Sequence, residues 1–267
     1  MRLIQISDTH ISTTHAHFTN NTDRIRAHLK GTQPDLIVHT GDVSMDGAVQ
    51  TIDLERAHQW NLALPAEVLA IPGNHDVGDH ITNRPDQPVT DDRLAAWQNV
   101  FGRDRWSRVL GGWQLIGLNA MLLGTGHPRE AEQFAWLAST IQSDRPIALF
   151  THKPLCIDSA GEGPRGYWTI PPEPRARLLE ILADKPVKMI ASGHLHIHRE
   201  RTIGDIKHLW GPAASFVVGA SQEDLGGERT LGYIEHTFAS DTVTSRFIRP
   251  DGLVDLLLDP VRPEIYG

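Results

Sequence analysis

The chain has little of what marks secreted, membrane-spanning or disulfide-stabilised proteins. Its single cysteine, Cys156, excludes an internal disulfide and is typical of a reducing compartment. No apolar stretch approaches the roughly 18 residues that a transmembrane helix needs. The first residues lack the charged start and the apolar core of a signal peptide. We therefore expect a cytoplasmic protein without a membrane partner.

Positive charge is also scarce. The 267 residues include 25 Lys and Arg against 33 Asp and Glu, which gives a net charge of −8. Proteins that bind nucleic-acid polymers or anionic membranes usually carry a basic footprint. The sequence also has no Gly-x-Ser-x-Gly elbow and no convincing Cys–His pair, so nothing indicates a protein nucleophile. We therefore expect no nucleic-acid partner, and the charge balance argues against a nuclease.

Histidine, by contrast, is abundant. The chain has 15 histidines, and five of them fall in polar clusters that each follow a short apolar run. The clusters combine Asp, Asn and His, which are hard and borderline metal ligands. They are Asp8-Thr9-His10, Gly41-Asp42, Gly73-Asn74-His75-Asp76, His152 and Gly193-His194-Leu195-His196.

Apolar runs that alternate with amphipathic segments predict an α/β fold with strands covered on both faces. Strands are expected near 3–6, 35–39, 67–71, 114–118, 147–150 and 187–191, and antiparallel strands within 199–218 and 230–248. Helices are expected near 23–30, 52–62, 92–100, 130–141 and 175–182. Residues 1–248 would form one catalytic domain, and residues 249–267 a C-terminal tail that packs on the domain or on a partner subunit.

The clusters occupy the positions where ligands bind in open α/β sheets, beyond the carboxyl ends of the strands. Five of the six predicted strands end in a ligand-type residue, and the fourth ends in Asn119, a further candidate. In extended backbone, residues two apart point to the same side, so Asp8 and His10 can reach one cation. The same spacing recurs at His194 and His196. This placement predicts one shared site.

The number of candidate ligands indicates two cations. Seven ligands are too many for one tetrahedral zinc, whereas a carboxylate such as Asp42 has two oxygens and can bridge two metals. Two-metal sites stabilise the attacking and leaving oxygens of an in-line displacement. Asp8 and Asp42 contribute two negative charges, so two divalent cations and a hydroxide would leave a positive site that attracts phosphodiesters and phosphomonoesters alike.

Together, the five clusters resemble the calcineurin-like metallophosphoesterases, and within them the class III cyclic-nucleotide phosphodiesterases and the bacterial glycerophosphodiesterases. The resemblance covers residues 1 to about 215. It implies a four-layer αββα sandwich with mixed sheets and two metal ions, iron, manganese or zinc. It also implies hydrolysis of small phosphodiesters by attack of a metal-bridging hydroxide on phosphorus.

The resemblance assigns a role to each residue. One metal would be bound by Asp8, His10 and His196, the other by Asn74, His152 and His194, with Asp42 bridging. His75 and Asp76 would be catalytic: His75 would stabilise charge on the phosphate or protonate the leaving oxygen, and Asp76 would orient His75.

Several alternatives stay open at this stage. A phosphomonoesterase or broad-specificity phosphoesterase has the same clusters, and a catalytically silent scaffold would have lost some of them. Taken singly, a cluster has a structural explanation, since Gly-Asn is a turn signal. Specificity is expected from the loops 12–21, 78–90 and 158–172 and from the tail. Tyr167 and Trp168 would stack on a base, cover the site or pack in the core. A homodimer or higher homo-oligomer is also expected.

Overall fold

The fold is built on two mixed β-sheets. A computed structural model describes residues 1–261 and residue 263, and these residues form eleven strands. The strands are β1 (Arg2–Ile6), β2 (Leu36–His39), β3 (Val68–Ala70), β4 (Trp106–Leu110), β5 (Trp113–Gly117), β6 (Ile147–Phe150), β7 (Val187–Ser192), β8 (Arg199–Ile203), β9 (Ile206–Trp210), β10 (Tyr233–Phe238) and β11 (Val243–Ile248).

The first sheet has the order β11-β10-β1-β2-β3, and the second has the order β4-β5-β6-β7-β9-β8. In the first sheet β1, β2 and β3 are parallel, while β10 and β11 are antiparallel to their neighbours. In the second sheet β5, β6, β7 and β9 are parallel, and β4 and β8 are antiparallel edge strands. The carboxyl ends of the central parallel strands therefore meet at one edge of each sheet.

Helices cover the outer face of each sheet. They are α1 (Thr19–Leu29), α2 (Thr51–Leu62), α3 (Asn74–Val77), α4 (Asp91–Phe101), α5 (Pro128–Thr140) and α6 (Pro172–Leu182). Alternate residues of a strand point to opposite faces, so Leu3 and Val38 pack between the sheets whereas Ile4 and Ile37 pack outward against α1, α2 and α4. The outer residues of the second sheet pack in the same way against α5 and α6.

Three apolar layers thus separate four layers of secondary structure. The middle layer joins β1 and β2 to β5, β6 and β7 through residues such as Leu115, Phe150 and Met189, all fully buried. Strands covered on both faces explain the continuous apolar runs of the sequence. The predicted four-layer αββα sandwich with mixed sheets is confirmed.

Some elements differ from the sequence-based prediction. The edge strand β4 was not predicted, because its exposed and half-buried residues alternate without an apolar run. Residues 74–77, for which no helix was predicted, form the single-turn helix α3. Helix α1 starts at Thr19 rather than near residue 23, in a segment of weak helix formers. The carboxamide of Asn21 stabilises this first turn by donating to the carbonyls of Ser215 and Val254.

Residues 211–218 do not continue the antiparallel strands as predicted, but form a loop beyond β9 that runs towards the strand-end clusters. The tail packs on this loop. The amide of Val217 donates to the carbonyl of Leu256, and the amide of Leu258 donates to the carbonyl of Val217. Residue 262 and residues 264–267 of the predicted tail lie outside the described residues. None of the described helices is long and apolar enough to cross a membrane.

Candidate metal centre

The loops that follow the central strands hold their polar residues in an unusual backbone conformation. Asp8, His10, Asp42, His194 and His196 all have positive φ, between 44° and 70°. A non-glycine residue in a sparsely populated region costs on the order of 1–3 kcal/mol and persists only where the surroundings enforce it. The expectation that Asp8 and His10 lie on extended backbone is therefore wrong: left-handed turns, rather than strand alternation, bring both side chains to the same place.

One group of ligand-type side chains joins the two sheets. The Nε2 atom of His196, which follows β7, lies 3.3 Å from Oδ1 of Asp8, which follows β1. The Nε2 atom of His10 lies 3.3 Å from Nε2 of His196 and 4.0 Å from the same carboxylate oxygen. All three side chains are almost completely buried, so the group could hold one cation.

A second group lies beside the first. The Nε2 atom of His152 is 3.3 Å from Oδ2 of Asp42 and 3.2 Å from Oδ1 of Asn74. His194 packs edge-on against His152, with ring centroids 4.9 Å apart. Asp42, His152 and His194 are close enough together to share one cation. The amide oxygen of Asn74 is a further donor to that position.

Asp42 lies between the two groups. Its Oδ2 atom is 3.3 Å from Nε2 of His152 and 3.7 Å from Nε2 of His10. Its Oδ1 atom accepts a hydrogen bond from the backbone amide of His75, which fixes the carboxylate. Gly73 packs so closely that a Cβ atom at residue 73 would collide with the Asp42 carboxylate. Asp42 therefore lies within reach of both groups, and its bridging role stays a prediction.

Hydrogen bonds fix the tautomers of three imidazoles. The Nδ1 atoms of His152 and His196 each lie 2.7 Å from a backbone carbonyl, that of Thr40 and that of Phe216 respectively. The Nε2 atom of His194 lies 2.9 Å from the carbonyl of Tyr167. A carbonyl can only accept, so each of these nitrogens carries the proton and the opposite nitrogen presents a lone pair.

Where the rings are neutral, those lone pairs converge on carboxylate oxygens, an arrangement that repels itself unless a cation or a proton lies between the groups. In addition, Oδ1 of Asp8 is buried without a hydrogen-bond partner among the described residues. Imidazoles held by backbone carbonyls are a recurrent arrangement around metals. The donor set of His, Asp and Asn fits divalent iron, manganese or zinc and does not select one of them. The residues present therefore fit two cations.

The buried charged groups change one another's pKa values. Burial lowers the pKa of His152, but the Asp42 carboxylate more than offsets this and raises it to about 9. Burial would raise the pKa of Asp42, yet charge on His152 and His75 holds it well below its usual range. Burial also lowers the pKa of His10 and of His194. Asp42 is thus held in its ionised form, and a protonated His152 balances its charge wherever no cation is bound.

The two residues of the predicted catalytic pair lie in different surroundings. His75 lines the cavity above the ligand groups, and its Nδ1 lies 2.6 Å from the carbonyl of Met45. The carboxylate of Asp76 accepts from the amides of Val43, Ser44 and Gly73. Burial, and then the charge of Asp42, raise the pKa of Asp76 to about 7.

Asp76 therefore joins the loop after β3 to the loop after β2. That second loop presents the Met45 carbonyl to the His75 ring, so a path exists for Asp76 to orient His75 through the backbone. The roles of His75 and Asp76, like the assignment of the other seven residues to particular cations, stay predictions.

A cavity of about 670 Å³ opens above the ligand groups. Its floor includes His10, Asp42, His194 and His196, and its walls come from segments far apart in the chain. The 78–90 loop contributes Arg84, the 158–172 loop contributes Tyr167 and Trp168, and the tail contributes Leu258 and Asp259. The 216–222 segment, which no motif indicated, contributes Phe216, Val218, Ser221 and Gln222.

The second group is flanked by Tyr167 and by a buried ion pair between Lys153 and Asp79. This pair was not predicted from the sequence. The hydroxyl of Tyr167 accepts from Nδ2 of Asn74, and its carbonyl accepts from His194. The ammonium of Lys153, the residue after His152, lies 2.7 Å from both carboxylate oxygens of Asp79. The Lys-Pro that follows His152 and the aspartate after Gly78 were the only sequence signals for this network.

Two other expectations resolve clearly. Asn119 does not contribute to the cavity lining, because its carboxamide is bonded to Asp104 and to the amide of Met121. Cys156 is buried in the core, and burial, followed by the charge of Glu162, raises the pKa of its thiol to about 11. It packs as a structural residue rather than serving as a nucleophile.

Comparisons with known proteins agree with this geometry. A family model described as calcineurin-like phosphoesterase matches residues 1–198. A probable cyclic nucleotide phosphodiesterase of Synechococcus sp. is 27% identical over 179 residues, 63% of this chain and 60% of that protein. The 3′,5′-cyclic adenosine monophosphate phosphodiesterase CpdA of Pseudomonas aeruginosa is 27% identical over 241 residues, 84% of this chain and 80% of that one.

A phosphatase is equally similar. The serine/threonine-protein phosphatase CPPED1 of Pongo abelii is 27% identical over 245 residues, 84% of this chain and 74% of that one. Among solved structures, a dimetal phosphatase from Danio rerio superposes with a TM-score of 0.62 at 12% identity, covering 92% of this chain and 95% of that one. At that identity the superposition shows a shared fold and nothing finer.

Proposed function

The chain belongs to the calcineurin-like phosphoesterase family, and we propose that it is a dinuclear metal-dependent phosphodiesterase that hydrolyses small diesters. The observation that carries the proposal is the convergence of imidazole lone pairs and two carboxylates on the floor of one cavity. The phosphodiesterase relatives support the reaction class. The proposed substrates are of the cyclic nucleotide or glycerophosphodiester type.

The position of each candidate ligand indicates which of the two cations it would hold. Asp8, His10 and His196 would hold one cation, and Asn74, His152 and His194 the other, with Asp42 shared between them. Two cations held there would supply Lewis acidity and a bound water that ionises near neutral pH. Two divalent cations would outweigh the negative charge of two carboxylates among neutral histidines. The loaded site would then be positively charged, so it would attract an anionic phosphoester and repel free cations.

His75 would act on the leaving group of the ester. Its Nδ1 proton is committed to the Met45 carbonyl, which leaves Nε2 as the atom that exchanges a proton with the leaving oxygen. Asp76 would support this by holding the Met45 loop. The burial of His75, only 6% exposed, strengthens its electrostatic effect on a phosphate in the cavity.

A phosphomonoesterase is the second candidate, because the relative CPPED1 is named as a protein phosphatase. The positive site attracts monoesters and diesters alike, so charge does not separate the two. A cytoplasmic location and a homo-oligomeric state are further proposals from the sequence. The former rests on the single cysteine and the latter on the extra loops and the tail.

The central test replaces the shared carboxylate. We expect Asp42→Asn to lose bound metal and to reduce turnover by more than about 100-fold, the upper cost of removing a group that only orients a metal ligand. Asp241→Asn, at an exposed position, is the matched control. Metal per chain would be measured by mass spectrometry after reconstitution with iron, manganese or zinc. An Asp42→Asn variant that retains two metals per chain would refute the bridging role.

Turnover would be measured on cyclic AMP, 2′,3′-cyclic nucleotides, a glycerophosphodiester, bis(4-nitrophenyl) phosphate and 4-nitrophenyl phosphate. The phosphodiesterase proposal predicts a higher kcat/KM on diesters than on the matched aryl monoester. The opposite order would favour the phosphomonoesterase.

A further inference from the structure

A glutamine lies in the apolar layer between the two sheets. Gln5, on β1, is only 1% exposed, and it follows Leu3 by two residues, so both side chains face the second sheet. The layer around them is built from apolar residues of both sheets, among them Phe150 and Met189. A buried carboxamide costs free energy unless its polar atoms are paired, so its hydrogen bonds indicate what this side chain does.

Both polar atoms of the Gln5 side chain are paired. Its Nε2 atom donates to Oγ1 of Thr40 at 3.2 Å and to the backbone carbonyl of Ser192 at 3.0 Å. Its Oε1 atom lies 3.2 Å from Nε2 of His236, whose Nδ1 atom lies 2.9 Å from Oγ of Ser245. An amide oxygen can only accept, so His236 donates through Nε2 and the Ser245 hydroxyl donates to Nδ1. The carboxamide therefore connects β1 to β10, to the end of β7 and to the loop after β2.

Two of these partners directly precede the polar clusters of the candidate metal centre. Thr40 lies two residues before Asp42, and its carbonyl accepts from Nδ1 of His152 at 2.7 Å. Ser192 is the last residue of β7 and lies two residues before His194. One side chain thus holds together the loop that carries Asp42, from the first sheet, and the loop that carries His194, from the second.

Gly211 leaves the space that the carboxamide occupies. A Cβ atom at residue 211 would lie 2.8 Å from Nε2 of Gln5 and 3.3 Å from the carbonyl oxygen of Ser192. The φ angle of Gly211 is not positive, so the close approach, and not the backbone conformation, favours glycine here. The amide of Gly211 donates to the same carbonyl at 2.7 Å. The Ser192 carbonyl therefore accepts two hydrogen bonds, which fix its position.

We propose that Gln5 is a positioning residue of the metal centre and that it sets the spacing of the two sheets beneath the ligand loops. Each group of candidate ligands contains residues from both sheets, so this spacing decides whether both groups can close on a cation. Apolar contacts are non-directional, whereas hydrogen bonds fix distance and angle. Ligand distances in metal sites vary by only about 0.2 Å. The inference rests on the two-metal site of the proposed function.

The decisive variant is Gln5→Met, which has a side chain of similar length and forms none of the three hydrogen bonds of Gln5. The metal-free protein would be titrated with Mn²⁺ in a calorimeter, and electron paramagnetic resonance would detect pairs of coupled Mn²⁺ ions. We expect the dissociation constant of at least one Mn²⁺ ion to rise by about 10- to 100-fold, the usual cost of losing a group that orients metal ligands. The signal of the coupled pair should weaken at the same Mn²⁺ concentration.

Gln114→Met is the matched control. Gln114, near the amino end of β5, is also 1% exposed. Its Nε2 atom donates to Oγ of Ser107 and to the carbonyl of Thr140, and its Oε1 atom accepts from the amide of Gln142. Both variants lose the three hydrogen bonds of a buried carboxamide, so both should lower the midpoint of denaturant unfolding. Only Gln5→Met should weaken the binding of Mn²⁺, because the partners of Gln114 lie outside the ligand loops.

A second variant displaces the carboxamide without removing it. Gly211→Ala introduces a Cβ atom that Gln5 can avoid only by moving the end of its side chain. We expect this variant to keep the fold and to bind Mn²⁺ more weakly, as Gln5→Met does. Gly161→Ala, at an open position, should leave Mn²⁺ binding unchanged. If Gln5→Met does not fold, Gly211→Ala decides the question by the same titration.

The outcomes separate this inference from the proposed function. If the unaltered protein binds fewer than two Mn²⁺ ions per chain, the proposed function fails and the inference fails with it. If the unaltered protein binds two and Gln5→Met binds them as tightly, Gln5 has no positioning role while the metal centre stands. Equal weakening by Gln114→Met would show a general effect of lost stability and would also refute the inference.

Discussion

Lys153 and Asp79 form a buried ion pair next to the second ligand group. Both Asp79 oxygens lie 2.7 Å from the Lys153 ammonium, and the two residues are 3% and 2% exposed. The ammonium also lies 5.0 Å from the centroid of the Tyr167 ring. Through Tyr167 the pair reaches Asn74 and His194, two of the predicted ligands. We predict that this pair holds the second group in place.

The perturbation is Lys153→Met, which keeps the length of the side chain and removes its charge. Breaking a buried ion pair from one side leaves the other charge uncompensated and costs about 3–5 kcal/mol. Asp79 would keep the hydrogen bond that it accepts from the amide of His80, so the lower end of this range is expected. The free energy of unfolding would be measured by denaturant titration, with Lys188→Met at an exposed position of β7 as control.

The double variant Lys153→Met/Asp79→Asn separates charge from packing. Replacing both members of a buried pair by neutral groups is often close to neutral, so we expect the double variant to regain most of the lost stability. Lys153→Met should also bind one metal per chain instead of two, because this network contacts the Asn74, His152 and His194 group through Tyr167. A loss below about 1 kcal/mol, a double variant as unstable as the single one, or unchanged metal content would refute the reasoning.

Three further predictions follow from other parts of the structure. His75→Ala should lower kcat/KM by about 10²- to 10⁴-fold on diesters with alkoxide leaving groups and far less on aryl diesters, and equal losses would argue against a general acid. Gly193→Ala should destabilise the fold by about 1–3 kcal/mol in denaturant and reduce metal content, because its Cβ would lie 2.6 Å from Oδ2 of Asp8; Gly163→Ala, in open space, should do neither. His236 is neutral in the fold, because burial lowers its pKa to about 3. In the unfolded chain the imidazole of His236 has an ordinary pKa of about 6.5 and binds a proton below that pH. The free energy of unfolding should therefore fall by about 2 kcal/mol from pH 7.5 to 5 through this group. His236→Gln should remove that loss.

Residue types and their order along the chain were enough to predict the layers of the fold. Apolar runs without alternation indicate strands covered on both faces, and the runs at β1, β2, β6 and β7 are of this kind. The polar residues that follow each run then indicate that their side chains meet at one edge of the sheets. The strand β4 was missed because Ser107 and Arg108 interrupt its apolar residues, and only its pairing with β5 makes it a strand.

The backbone of the site was beyond the reach of sequence patterns. Asp8 and His10 converge through left-handed turns, and this conformation is imposed by contacts such as the amide of Asp8 with the carbonyl of Gly41 and that of His10 with the carbonyl of Asp42. Such contacts join loops more than 30 residues apart. No local pattern encodes them, so the sequence led to these side chains lying together through a partly wrong geometric reason, and their role as ligands stays a prediction.

The candidate ligands come from both sheets, and this has a consequence for stability. The first sheet supplies Asp8, His10, Asp42 and Asn74, and the second supplies His152, His194 and His196. The backbone amide of His194, from the second sheet, also donates a hydrogen bond to Oδ2 of Asp8, from the first sheet. Each cation group therefore contains ligands from both sheets, and each exists only while the sheets pack against each other. Bound cations would then stabilise the packing of one sheet on the other, because ligands that bind only the folded state shift unfolding by mass action. The buried layer between the sheets would thus support the candidate metal centre as well as the core.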